Sequence, residues 1–145
     1  MSQPFTIDAM LRLPRLASLR LSPDGRRLVV SVGGVAPDGT KMTSSLWQVD
    51  PADKAPARRL TRSVAGEGAG IAFLPDGALL FESARPDPDA KPDPDKKVNA
   101  LWALPAEGGE ARLLVAPEGG VCGIAVARDT VTTACGTIMM RNVDA

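Results

Sequence analysis

The chain has 145 residues, of which 44% are hydrophobic, enough for one folded domain with a sizeable core. Its 17 basic and 17 acidic residues cancel, so the basic excess of a typical nucleic-acid binder is absent. It contains no histidine, which excludes a histidine base and every histidine-ligated metal site within it.

The charge is uneven along the chain. Residues 1–65 carry 10 Lys and Arg against 5 Asp and Glu, and residues 66–145 carry 7 against 12, so the halves are +5 and −5. This pattern fits either a polarised surface that docks a partner or a weak attraction between neighbouring repeats. No run is long and apolar enough to span a membrane, and Met1–Asp8 lacks the basic and apolar regions of a secretory leader. The expectation is a cytoplasmic protein.

The N-terminal segment, residues 1–15, reads as a short helical arm. Thr6 is its N-cap, Asp8 lies in the first turn where negative charge is favoured, and Phe5 and Met10 occupy hydrophobic-staple positions. Pro14 limits its extension. Such an arm could cover a sheet edge or dock a neighbouring domain.

After the arm the chain repeats itself. Leu21-Ser-Pro-Asp-Gly25 matches Phe73-Leu-Pro-Asp-Gly77 at an offset of 52, Leu46-Trp47 matches Leu101-Trp102 at 55, and Ala57–Leu60 matches Ala111–Leu114 at 54. A third copy begins at Gly123–Val126, which echoes Gly70–Phe73 at 53. Each full repeat divides into four short strands, near Leu16–Leu21, Arg27–Val32, Ser45–Asp50 and Ala57–Thr61, then near Gly70–Leu74, Ala78–Ser83, Asn99–Leu104 and Ala111–Ala116. Proline presets the first turn corner and Asp-Gly supplies the positive φ of a tight hairpin. With 14 Gly and 13 Pro there is little room for long helices.

The predicted fold is therefore all-β. It is a partial β-propeller of about two and a half four-stranded antiparallel blades behind a short N-terminal helix. The units are the arm at 1–15, blade 1 at 16–64, blade 2 at 65–118, and an incomplete blade 3 with a divergent tail at 119–145. Blade 3 gives strands near Val121–Val126 and Thr130–Cys135 only. Blades rely on their neighbours, and open edges invite association, so marginal stability or oligomers are expected of the chain alone.

Few residues suggest chemistry. The aspartates of the three Pro-Asp-Gly turns are explained by turn geometry, and Trp47 and Trp102 by packing at equivalent blade positions. Residues Arg85–Lys96 hold four aspartates, four prolines and three basic residues, but no glycine bends them as in a calcium loop. They read as a solvated excursion that could line a rim where a substrate or partner passes. Cys122 and Cys135 flank a hairpin turn near Arg128–Asp129 and read as two reduced, half-buried thiols, with a redox pair as the alternative. There is no Gly-x-Ser-x-Gly elbow, no phosphate-binding loop and no pair of carboxylates placed in one dry cleft. No catalytic, cofactor-binding or metal-binding residue is assigned, and no cofactor is expected.

The stretch from Met10 to Ser31, with Ser45–Asp50, Arg58–Ser63 and Ala100–Arg112, resembles the N-terminal propeller of prolyl oligopeptidase family serine peptidases, of the bacterial acylaminoacyl-peptidase or dipeptidyl-peptidase type. The resemblance covers about residues 5–130. It implies a substrate-gating domain over an α/β-hydrolase domain that carries the catalytic Ser, Asp and His, with short peptides as substrates. No hydrolase motif has a counterpart in these 145 residues, so no catalytic residue is carried over. The implied partner is that hydrolase domain. Alternatives are a free-standing Tol-type interaction module that associates through open blade edges, or a non-functional remnant. The tail from Thr137 departs from a third blade, as a truncated, frameshifted or decayed product would.

Overall fold

A computed structural model describes residues 4–62, 65–91, 98–128, 130–133 and 139–141. Among these residues the chain is mostly β, with one short helix and three antiparallel sheets. Helix α1, Ile7–Arg12, starts where expected: Thr6 Oγ1 accepts from Ala9 N, and Asp8 pairs with Arg12 at 3.0 Å. It buries none of its residues. Phe5 and Met10 both stay largely exposed, so the expected staple does not bury them.

The first sheet holds β1 (Arg15–Leu21), β2 (Leu28–Val35), β3 (Met42–Val49) and β4 (Arg58–Arg59) in chain order. The second holds β5 (Glu67–Phe73), β6 (Leu79–Ser83), β7 (Ala100–Leu104) and β8 (Arg112–Val115), again in chain order. The third holds β9 (Ile124–Ala127), β10 (Thr130–Thr133) and β11 (Met139–Arg141). β11 corrects the reading of the tail as a departure from the sheet: Met139–Arg141 pairs with Thr130–Thr132 and supplies a third strand. Strand pairing satisfies backbone groups whatever the side chains, so the missing Leu-Trp signature did not preclude it.

The Pro-Asp-Gly turns form as their residues dictate. Gly25, Gly39 and Gly77 have φ of +73°, +72° and +90°, and their N–H groups donate to Ser22, Ala36 and Leu74. Each turn aspartate then accepts from the backbone two residues on: Asp24 from Arg26, Asp38 from Thr40 and Asp76 from Ala78, at 2.9–3.0 Å. These contacts hold the carboxyls of Asp24 and Asp38 below the usual range, with the Ser22 hydroxyl the largest influence on Asp24. The three aspartates are spent on turns.

The sheets stack face to face in chain order, with β1 against β5 and β5 against β9. Two cores fill the gaps. Between the first and second sheets lie Val29 and Leu46 from one side and Ile71, Phe73, Phe81 and Trp102 from the other. Between the second and third lie Leu80, Leu101 and Ala103 against Val131, Ile124 and Val126. Strand alternation makes this possible, because successive side chains point to opposite faces and a sheet covered on both sides needs both sets apolar. β6 and β7 of the middle sheet are accordingly buried at every position.

The two repeated tryptophans have different surroundings. Trp102 is buried between sheets, whereas Trp47 is half-buried on the outer face of the first sheet. Trp47 Nε1 donates to Ser45 Oγ at 3.0 Å. Alanine stands at the matching place in the second repeat, Ala100, and the buried Trp102 Nε1 has no hydrogen-bond partner. Ala100→Ser should supply the missing acceptor and raise the unfolding free energy by about 1 kcal/mol. Urea denaturation checks this, and a loss of stability would show that the packed gap has no room for the added oxygen.

Candidate functional site

Two glutamates that sequence reasoning passed over are the most unusual groups in the fold. Glu67 and Glu82 are both at least nine-tenths buried, and they flank an irregularity in β5, where pairing with β6 shifts between Glu67 and Ile71. They face opposite ways. Glu67 shares its face with Ser83 and looks toward the first sheet. Glu82 lies on the other face and reaches the start of the third sheet.

Glu67 is held by the first residue of the Pro-Asp loop. Arg85 Nη2 donates to Glu67 Oε1 at 2.5 Å, and its guanidinium lies 5.0 Å from the Phe81 ring centroid and 5.2 Å from that of Trp102. The stacked rings align the guanidinium, so the ion pair and the aromatic core support each other. Ser44 of β3 ties the first sheet in: its hydroxyl accepts from Glu67 N at 3.1 Å and donates to Glu67 O. Burial pushes the Glu67 carboxyl up, against the opposing pull of the Ser83 hydroxyl and Arg85.

Around this contact lies a cleft of about 330 Å³ lined by Thr43, Ser44, Gly66, Glu67 and Asn99, among others. It opens between the first two sheets at the end where the β2–β3 and β6–β7 loops emerge. Arg85, through Glu67, and Asn99, which lines the cleft, place the two ends of the β6–β7 connection beside it. Within the loop, Asp87 accepts from Asp89 N in a tight turn, and residues 92–97 lie outside the described residues.

Glu82 sits in a cradle made of glycine. A methyl group built on Gly68 would lie 2.6 Å from Glu82 Cβ, and one on Gly70 would lie 2.6 Å from Glu82 Cδ. Only hydrogen at those positions lets the carboxylate fold back over β5. There Glu82 Oε1 accepts from Gly123 N at 2.5 Å, a charge-assisted bond between the second and third sheets. Burial raises its pKa, opposed by the Gly123 and Gly70 amides. In the first sheet Ser31 stands at the matching position, and its buried Oγ has no partner. The signal in the sequence was a lone acid in an apolar strand, Leu79-Leu-Phe-Glu-Ser83, followed across the pairing by Gly-x-Gly.

The chemistry of this arrangement is cohesive. Ser44 has its hydroxyl committed to the Glu67 backbone, and Glu67 is neutralised by Arg85, so neither is poised as nucleophile or base. Among the described residues no three His, Cys, Asp or Glu side chains gather as a metal site. The expectation of reduced thiols is corrected: Cys122 is disulfide-bonded, and it is exposed. Positions flanking a hairpin bring side chains within bridging distance, which is why the redox pair was the open alternative. Cys135 lies outside the described residues.

Raised carboxyls make stability depend on pH in a definite sense. A folded-state pKa above the unfolded value means the folded protein binds protons first, so stability falls as pH rises through the shifted range of Glu67 and Glu82. Asp24, Asp38 and Asp50 have lowered values and act oppositely at lower pH, where their contribution is lost on protonation. Urea midpoints should therefore peak at mildly acidic pH. A Glu67→Gln, Glu82→Gln double variant should flatten the decline toward neutrality, and a steeper decline would contradict the burial argument.

No family model matches the chain, and no curated protein matches it. No described helix is long and apolar enough to cross a membrane.

Proposed function

We propose that this chain is a non-catalytic arc of a β-propeller, of the kind that gates short peptides into the α/β-hydrolase domain of a serine peptidase. The observation that carries the reading is the stack. Three antiparallel meanders follow one another in chain order with their first strands side by side, as blades do around an axis. The Pro-Asp loop and the β2–β3 loop share the end that holds the cleft, a suitable rim for passing peptides. Ser44–Glu67 and Glu82–Gly123 tie each sheet to the next, which a gate built of successive blades requires.

The test is made on the protein isolated from its source with an antibody to the chain. Under this reading the preparation contains a serine hydrolase that reacts with a fluorophosphonate probe, in the same polypeptide or bound to it, while the 145-residue chain alone does not hydrolyse aminoacyl or dipeptidyl nitroanilides. A preparation with no reactive serine overturns the peptidase reading. It would leave a free-standing interaction module, the reading favoured by the uncovered apolar face of the first sheet. A cytoplasmic setting belongs to the gating proposal and would keep Cys122 reduced. Thiol trapping in intact cells distinguishes it from the oxidising setting that a persistent disulfide favours.

A further inference from the structure

The first sheet carries, uncovered, the same kind of face that the second sheet buries. Leu19, Leu21 and Trp47 match Ile71, Phe73 and Trp102 in the repeat. Ile71 and Trp102 are 1% and 2% exposed, whereas Leu19 and Leu21 are each 55% exposed. What covers the second sheet is the opposite face of the first, with Val29, Leu46 and Leu60. The matching Leu80, Leu101 and Leu114 cover the third sheet in turn. Every covered front face therefore meets the back face of a preceding sheet. Among the described residues one back face is left over, on the third sheet, where Ala125, Ala127 and Thr132 are exposed.

We propose that the front face of the first sheet takes the back face of the third sheet of a second copy of this chain, head to tail. The contact continues the stack already formed inside the chain. Ala125, Ala127 and Thr132 are small and leave room for the large side chains of the other face. Charge selects the direction. Residues 1–65, which hold the first sheet, are +5, whereas residues 119–145, which hold the third, carry two basic and two acidic residues and are neutral, so head-to-tail contact meets no net repulsion. A two-fold front-to-front contact would set +5 against +5. The interface is heterologous, so it closes into a ring or extends according to its rotation. This inference rests on the stack and not on the peptidase reading.

Sedimentation velocity on the full chain tests it. The wild-type protein should associate with rising concentration through the micromolar range. Leu19→Asp on the front and Thr132→Lys on the back should each weaken it about tenfold or more, since each puts a charge into the contact. An equimolar mixture of the two variants retains one intact front and one intact back, and should form a 1:1 complex that grows no further. Leu21→Asp and Ala127→Lys repeat the experiment at neighbouring exposed positions if either first variant loses its circular dichroism spectrum. A wild-type monomer at every concentration overturns the proposal. So do Thr132→Lys oligomers indistinguishable from wild type, which would mean front-to-front contact, and a mixture that forms no complex.

Discussion

Trp102→Ala should cost about 3–5 kcal/mol, the range for deleting a large aromatic side chain from a packed core. Trp102 lies between the first and second sheets at 2% exposure, against Phe81 and beneath the Arg85 guanidinium. Its removal opens a cavity and also loosens Arg85, the partner of the buried Glu67. A domain of this size is stable by only about 5–15 kcal/mol, so this one change should remove much of its stability. The repeat supplies its own control. Trp47 has the same place in the first sheet but is half-buried on a face that no other sheet among the described residues covers. Trp47→Ala should cost well under half as much in dilute solution. Urea denaturation of both variants under identical conditions decides it. Equal costs would mean that the two sheets are not stacked as described, or that the front of the first sheet is covered.

Gly70→Ala should be nearly as damaging, by about 3 kcal/mol, although it adds a single methyl group. The added carbon would overlap the Glu82 carboxyl, which has no other place to go while it holds Gly123. Either the acid leaves and Gly123 loses its acceptor, or β5 shifts away from β6. Strain of this origin should be non-additive with removal of its cause. Glu82→Ala alone should cost about 2 kcal/mol through the unsatisfied amide and the cavity, and the Gly70→Ala, Glu82→Ala pair should cost clearly less than the two single changes summed. Additive costs would show that the cradle is not what requires glycine there. Hydrogen exchange at Gly123 gives an independent reading, since its amide should lose protection in all three variants.

Much of the fold was legible because its signals are local. Ser22-Pro-Asp-Gly25 and Leu74-Pro-Asp-Gly77 each specify a tight turn within four residues, and both turns are present with positive φ at the glycine. The offset of 52–55 between matching residues announced units that repeat, and the sheets follow that period. Strand ends were less legible: β3 starts at Met42 rather than near Ser45, because pairing with β2 runs on past the apolar alternation. β11 was missed for a related reason. Ladder pairing depends on a neighbour's free edge, which no local pattern encodes. The buried acids were missed because an acid in a strand is ordinarily solvated. Glu67 needs Arg85, 18 residues away, and Glu82 needs Gly68, Gly70 and Gly123, so neither environment exists until β5 pairs with β6 and, for Glu82, the third sheet docks.

The sequence by itself determined that the chain is a set of short antiparallel strands in repeating groups, without a histidine and without a nucleophile elbow. Period-2 alternation, turn chemistry and composition are properties of neighbours along the chain, and they survive in any packing. Only the tertiary structure decided which face of each sheet is covered, and so why one of two equivalent tryptophans is core and the other is not. It also placed one buried acid on each side of the middle sheet and left the first sheet's Leu19 and Leu21 bare. Those outcomes depend on the order in which sheets stack. Burial is a relation between surfaces, so identical strand patterns acquire different roles at the middle and at the end of a stack.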